Sequence, residues 1–305
     1  MKNHLSEYFN IEKGHKNLDF VDINRKKDTK LFLDPYLIKF GVSDICKEMA
    51  EVVQSFEIEL FDSFRTKNFS RQKELFAHSS ERNETKFGYG NGRNGKGNSI
   101  SGMQKAFESI KTILEENPNL NSLPDLVILV KSFSKDGLSD LLANLLYKIL
   151  LRYTKDQIEE NGVAEVFVKE VKTYTSWDTE TRNWKTYREE VYTINGEVFL
   201  LTPKYIVRNT YLFGIDKYLR NQVIEYYQTL PEYKDADGKK IPKKTIIDKL
   251  SSEQENWKYN HARNYAKENY DSLKNFHQHM HNRYHEIGEL SDEKLDEIVY
   301  GKVLS

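Results

Sequence analysis

Apolar positions along the chain recur first at strand spacing, then at helical spacing, then at strand spacing again. Asn17–Asn24 (NLDFVDIN) and Lys30–Asp34 (KLFLD) are short apolar runs separated by the polar Arg25–Asp28. They predict an N-terminal β-hairpin whose second strand stops at Pro35. Ile45, Met49, Val52, Val53 and Phe56 lie at helical spacing and predict a helix over roughly Asp44–Phe64. A short helix is expected at Arg71–His78, and another over Ser101–Glu116 that ends before Pro118. Leu126–Val130 (LVILV) is a continuous apolar run of strand length and predicts a buried strand. Leu138, Leu141, Leu142, Leu145, Leu146, Ile149, Leu150 and Tyr153 form one stripe, which predicts a long amphipathic helix facing the core.

From Val163 the period becomes two. VAEVFVKEVKTYTSW predicts a long strand, DTETRN a turn, and Trp184–Ile194 a second strand. Asn195-Gly196 then predicts a tight type I′ turn, which needs positive φ at both residues, and Glu197–Thr202 the return strand. Beyond about Asn209 the pattern is helical, interrupted by the polar loop Lys234–Lys244. The class is therefore α+β: an antiparallel sheet with an N-terminal hairpin and a β-meander, packed by helices. Residues 1–208 form the α+β core, and 209–305 a helical C-terminal region on the same core.

Composition narrows the setting. The chain has 305 residues, 38% hydrophobic and 12% aromatic, enough to build a sizeable core. Mean hydropathy is -0.73, and no apolar run approaches the roughly 18 residues of a membrane helix. The first residues are polar, so no signal peptide is expected. Cys46 is the only cysteine, which excludes an intrachain disulfide and a Cys-built zinc site and predicts a cytoplasmic location. The net charge of -1 argues against a strongly basic nucleic-acid coater, though not against a local basic patch.

Six features carry candidate chemistry. In a regular hairpin Asp19 and Asp34 would fall nearly opposite, an unfavourable pairing unless they are solvated, point to opposite faces, or share a cation. Residues 87–99 (FGYGNGRNGKGNS) hold five glycines and predict a loop. Gly90–Lys96 matches the start of a P-loop, but Gly97 stands where Ser or Thr should hold magnesium, and no hydrophobic strand leads in, so a Walker NTPase is excluded. Either the loop is a mobile surface loop, or its amides with Arg93 and Lys96 cradle a phosphate. Glu81 and Glu84 lie just upstream, where they either join a metal cluster or are solvated. Asp136 is explained as a helix N-cap and Asp140 as a first-turn anion. The alternative is that these two, one helical turn apart, share a face with Asn144 and bind a hard cation.

His277, His281 and His285 recur at helical spacing. Two adjacent members could bind one transition metal, but all three cannot, since the stripe spans roughly 12 Å; a polar helix face is the expectation. Glu170-Val-Lys172 copies the E-x-K half of a restriction-like nuclease site, with Pro124-Asp125 as the other half. Lys204 and Arg208 emerge near the end of a strand at Pro203, where they either contact phosphates or are solvated.

Four ordered segments carry a resemblance: LDFVDIN with LFLDP, ERNETKFGYGNGRNGKG, KDGLSDLLANLLYKILLRYT, and FLLTPKYIVRN. Over about Leu18 to Tyr211 the chain resembles an uncharacterised family of bacterial proteins associated with phage-defence or mobile-element gene clusters. The resemblance implies weight for Asp34, Glu84, Asp136, Asp140, Asn144, Lys204 and Arg208, and its loop pattern agrees with Arg93 and Lys96.

These features together predict a metal-dependent nuclease or related phosphoryl-transfer enzyme in anti-phage defence. Glu84, Asp136 and Asp140 would be catalytic and, with Asp34, would hold Mg²⁺ or Mn²⁺. Arg93, Lys96, Lys204 and Arg208 would bind the nucleic-acid backbone. The alternative is a non-catalytic sensor or adaptor that uses its aromatic surface to bind a partner defence protein. A third reading is a nucleotide-modifying enzyme that uses the glycine loop.

Overall fold

The computed structural model describes residues 2–78, 81–89, 100–117, 120–252 and 254–301, with side chains described outside 100–107. The chain opens with a short helix α1 (Ser6–Phe9), strand β1 (Phe32–Leu33), and helices α2 (Pro35–Phe40), α3 (Asp44–Arg65) and α4 (Phe69–Phe76). Helices α5 (Ile100–Glu116), α6 (Leu123–Leu129), α7 (Lys135–Leu145) and α8 (Tyr147–Glu160) follow. Then come strands β2 (Val168–Asp178), β3 (Asn183–Ile194), β4 (Glu197–Val198) and β5 (Val207–Arg208). The C-terminal region holds α9 (Ile215–Tyr218), α10 (Ile224–Tyr227), α11 (Lys243–Ser251), α12 (Trp257–Glu268), α13 (Ser272–Ile287) and α14 (Asp292–Tyr300). The class is α+β, with two small antiparallel sheets, β1-β5 and β2-β3-β4.

The expected N-terminal hairpin does not form. Its two runs pair with a third segment instead of with each other. Phe199, Leu200, Leu201, Ile206 and Val207 are buried, so the backbone of this stretch needs protein partners. Val21 N–H donates to the Thr202 carbonyl (2.9 Å) and Lys204 N–H to the Asp19 carbonyl (3.2 Å). On the far side of Pro203, Phe32 pairs with Arg208 and Leu33 with Val207. Asp19 and Asp34 are therefore never cross-strand neighbours.

The three-stranded meander forms, but its first strand begins at Val168, after a short 3-10 turn at Ala164–Val166, and its return strand is Glu197–Val198 and does not run to Thr202, because the residues beyond pair elsewhere. β2 and β3 pair in continuous register from Val168↔Thr193 to Asp178↔Asn183. Asn195 and Gly196 have φ of 55° and 80°, the two left-handed positions of a type I′ turn. Leu126–Val130, expected as a strand, is instead mostly helix α6. Pro124 sits in its first turn, and the Asp125 carboxylate accepts from Ser122 N–H at 3.3 Å. These are helix-start signals. All seven residues of α6 are buried, so no periodicity marks the helix.

The long leucine stripe divides into α7 and α8 at Leu146. Ser176 of β2 inserts its hydroxyl there, donating to the Leu145 carbonyl (2.9 Å) and accepting from Lys148 N–H (3.2 Å). A side chain entering the helical ladder is a recognised cause of a break.

The C-terminal helices bond directly into the N-terminal region. His15, fully buried, pairs with Asp296 of α14 at 2.6 Å, and Tyr300 donates to Asp22 at 2.7 Å. Asp34 is the densest of these junctions. Its carboxylate caps α2 by accepting from Tyr36 N–H (2.9 Å), accepts from Tyr284 of α13 (2.7 Å), and lies 3.7 Å from the Arg208 guanidinium. Burial pushes its carboxyl up to about 6, against the pull of those partners. Replacing Asp34 by Ala would strand Arg208 without its carboxylate, and loss of one partner of a buried pair costs about 3–5 kcal/mol. Chemical denaturation of Asp34→Ala should show a loss of that order, and a loss below about 1 kcal/mol would contradict the structural role given to this carboxylate.

Candidate functional site

Helix α7 starts at Ser134, whose hydroxyl accepts from Gly137 N–H at 3.0 Å. Ser134, not Asp136, is therefore the N-cap, which removes the capping explanation for Asp136. Asp136 stands in the first turn, half-buried, and Asp140 one turn later, buried.

Two contacts fix this helix against the N-terminal segment. Leu33 N–H of β1 donates to the Ser139 hydroxyl (3.0 Å), and Tyr211 donates to the carbonyls of Leu33 (2.7 Å) and Lys135 (3.2 Å). Upstream of β1, Thr29 runs parallel to Phe87: Thr29 N–H donates to the Lys86 carbonyl (2.7 Å) and Gly88 N–H to the Thr29 carbonyl (3.0 Å). The result brings Asp28, Glu81 and Gly88 to the start of α7. Gly88 lies so close that a Cβ there would be 3.5 Å from Asp136 Oδ1. Its φ of 142° is in the region that favours glycine.

The electrostatics follow from this convergence. Burial first, then Asp136 and Glu81, push the Asp140 carboxyl up to about 8, while a hydrogen bond from Arg82 N–H pulls the other way. Asp136 is raised by burial, then by Glu81 and Asp28. Like charges held close in a partly desolvated site disfavour ionisation. Perturbation of this kind is associated with functional sites, although structural networks also produce it.

Beside this cluster, Arg82 donates to Asn144 Oδ1 (2.6 Å), lies 3.8 Å from Glu84, and stacks on Tyr147. Tyr147 donates to Glu84 at 3.1 Å. Glu84 therefore belongs to an adjoining hydrogen-bonded group and is engaged by Arg82 and Tyr147. Glu81, which the sequence placed with it, is the glutamate whose charge reaches Asp136 and Asp140.

Asp34 is not part of the site. It lies wholly buried under Tyr284 and Arg208, so its assignment as a metal ligand is corrected. Arg208 is 4% exposed and also donates to the Gly288 carbonyl, and Lys204 pairs with Asp292 (2.8 Å) and the His15 carbonyl (2.7 Å). Both serve internal junctions and are not placed to hold a nucleic-acid backbone. Arg93 and Lys96 lie outside the described residues, as does most of the glycine-rich loop. The E-x-K pattern is also corrected: Glu170 pairs with Lys172 (2.7 Å), whereas Asp125 pairs with His277 (2.6 Å). His277 is thus more than part of a polar helix face, while His281 and His285 pack against Phe40.

Among the described residues, no group of three or more His, Cys, Asp or Glu side chains is placed to hold a metal ion. Asp136 and Asp140 remain as a carboxylate pair. Mg²⁺ commonly takes one or two protein carboxylates and completes its shell with water and substrate phosphate.

Residues 10–213 match a family described as a domain of unknown function, DUF8370. The chain belongs to the DUF8370 family. The matched span contains Asp28, Glu81, Asp136 and Asp140, so the whole acidic cluster lies within the DUF8370 region, while α9–α14 lie beyond it. No curated protein and no solved structure matches the chain. Among the described residues no helix is long and apolar enough to cross a membrane.

An acid raised by the fold destabilises the fold once it must ionise. Between its ordinary value of 3.8 and about 8, Asp140 holds a proton in the folded state that the unfolded chain releases. Asp140→Asn should therefore gain stability over the native protein as pH rises through that window, with the gain level above it. Denaturation midpoints at pH 5, 7 and 9 without divalent cations measure this. A difference that does not grow with pH would contradict the raised carboxyl.

Proposed function

We propose that this DUF8370 protein is a Mg²⁺- or Mn²⁺-dependent phosphoryl-transfer enzyme, a nuclease, acting in bacterial anti-phage defence. The observation that carries this reading is the gathering of Asp136 and Asp140 with Glu81 and Asp28 beside Gly88. Carboxylates that repel one another are stabilised by a divalent cation, which lowers their pKa values and restores their ionised forms. Asp136 and Asp140 would be the ligands. The metal would supply an activated water and charge stabilisation at the scissile phosphate. Glu81 stands beside the pair as a group for orienting water. Arg82, Asn144, Glu84 and Tyr147 would hold the surroundings of Asp140 in place.

Arg93 and Lys96 keep their proposed role as backbone-binding groups of the loop that follows Gly88 and Tyr89. Lys204 and Arg208 do not. The defence setting rests on the four-segment resemblance, and a cytoplasmic location fits a chain with one cysteine.

The test is cleavage of single- and double-stranded DNA and RNA in Mg²⁺ or Mn²⁺. The expected result is metal-dependent cleavage that increases from pH 6 to 9 as Asp140 loses its proton, and that falls by about 10²-fold or more in the Asp136→Ala, Asp140→Ala double variant. Cleavage unchanged in the double variant would remove this mechanism.

A further inference from the structure

A second polar site lies beside α6, in a cavity of about 820 Å³ walled by α2, α3, α6 and α13. Its volume is within the range of small-molecule sites. Ile38, Val53, Pro124 and Leu273 give it apolar walls. The polar groups on its wall form a connected set.

Asp125 is buried, and its oxygens accept from Ser122 Oγ (2.9 Å) and from His277 Nε2 (2.6 Å). The other nitrogen of His277, Nδ1, is hydrogen-bonded to the Tyr36 hydroxyl. Glu57, half-buried on the same wall, accepts from Leu123 N–H through Oε1 at 2.7 Å. Lys39 and Lys274 are exposed at the rim.

The protonation states make this wall a set of donors. Asp125 raises His277 above the usual imidazole range, against the opposing effect of burial. In the imidazolium form His277 donates from both nitrogens, and the Tyr36 oxygen then accepts from Nδ1–H and leaves its O–H to donate elsewhere; in the neutral form with the proton on Nε2, Tyr36 donates to Nδ1. Burial holds the Tyr36 phenol well above its ordinary value, so the proton stays on. Burial, with Asp125 adding to it, pushes the Glu57 carboxyl up to about 7, against the Leu123 amide, Lys39 and His277. Its acid form is therefore also a donor near neutrality.

The charges facing Glu57 are Lys39 of α2, Arg65 at the end of α3, Asp125 of α6, and Lys274 and His277 of α13, with exposed Asp271 at the rim. Asp125 is offset by His277, and Arg65 by Asp62 at 2.8 Å. Lys39 and Lys274 remain against Asp271, a net positive rim over a wall of hydroxyl, carboxylic acid and ammonium donors. A ligand rich in acceptors and negatively charged matches that wall, and lysine is a common partner of phosphate.

We propose that this cavity binds a small organic phosphate, whose oxygens take hydrogen bonds from Tyr36 and Glu57 and pair with Lys39 and Lys274. Binding keeps the proton on Glu57, so affinity must fall as pH rises through neutrality.

Calorimetry on the full chain tests this with AMP, ribose 5-phosphate and inorganic phosphate as probes, and with adenosine, ribose and citrate as controls. At pH 6.5 the organic phosphates should bind and the controls should not. Affinity should drop about tenfold by pH 8.5 in the native protein. Glu57→Gln, which mimics the acid form, should remove most of that pH dependence. The rim variant Lys39→Ala, Lys274→Ala should weaken binding by about tenfold or more, and Asp136→Ala, Asp140→Ala should leave it unchanged, which separates this site from the acidic cluster. Absence of heat with both organic phosphates at pH 6.5 would overturn the proposal. So would binding of citrate in their place, or AMP affinity unaltered by both the rim variant and pH.

Discussion

The buried stretch Phe199–Arg208 imposes the constraint from which the rest of the arrangement follows. Its backbone is removed from water and must find partners inside the protein. It finds them on both sides of Pro203, in Asp19–Val21 and in Phe32–Asp34. β1 is thereby fixed in the interior, and Leu33 N–H reaches Ser139 on α7. The segment before β1 then lies along Phe87 and Gly88. Asp28 and Glu81 come within electrostatic reach of Asp136 and Asp140 because of this chain of backbone contacts, and not because their own side chains attract one another.

That origin explains the electrostatics. A set of carboxylates that came together through its own interactions would have been chosen for mutual stability. Here the framework buries Asp140 and holds Asp136 and Glu81 near it, and burial first, then their repulsion, keeps its proton on to about pH 8. Strain of this kind persists where the surrounding structure over-determines it. The cavity at His277 follows a different logic. There the buried carboxylate of Asp125 is answered by an imidazole, and a neighbouring acid, Glu57, is kept near its neutral form. One region concentrates negative charge beside Gly88; the other gathers polar groups beneath a rim that carries Lys39 and Lys274.

Much of the architecture was legible in the sequence because its signals are local. The period-two run and Asn195-Gly196 specify the meander, and the Ile45–Phe56 stripe specifies α3. The errors lie where long-range pairing decides. Nothing local in NLDFVDIN or KLFLD says that each will pair with residues about 180 positions away. LVILV is helical because Ser122, Pro124 and Asp125 start a helix whose every face is covered, so the pattern has no stripe to read. Ser176 breaks the leucine stripe from another strand altogether. The candidate site shows the same division. Asp136 and Asp140 are readable as one helical face, and Glu81 as a near neighbour of Glu84. Asp34, Lys204 and Arg208 stand out in sequence as charges in apolar surroundings, a signal shared by functional groups and buried structural pairs; here they belong to the pairs. The Asp125–His277 contact joins residues 152 positions apart and has no sequence signature.

In the proposed cation site, metal held by Asp136 and Asp140 would displace the proton that Asp140 carries. A calorimetric titration of the full chain with Mn²⁺ at pH 7, repeated in buffers of different ionisation enthalpy, measures both the binding and the protons released. The expected result is one bound Mn²⁺ with release of close to one proton, a release that disappears above pH 9 and in Asp140→Asn. Binding of Mn²⁺ with no proton release at pH 7, or binding unchanged in the Asp136→Ala, Asp140→Ala variant, would contradict it.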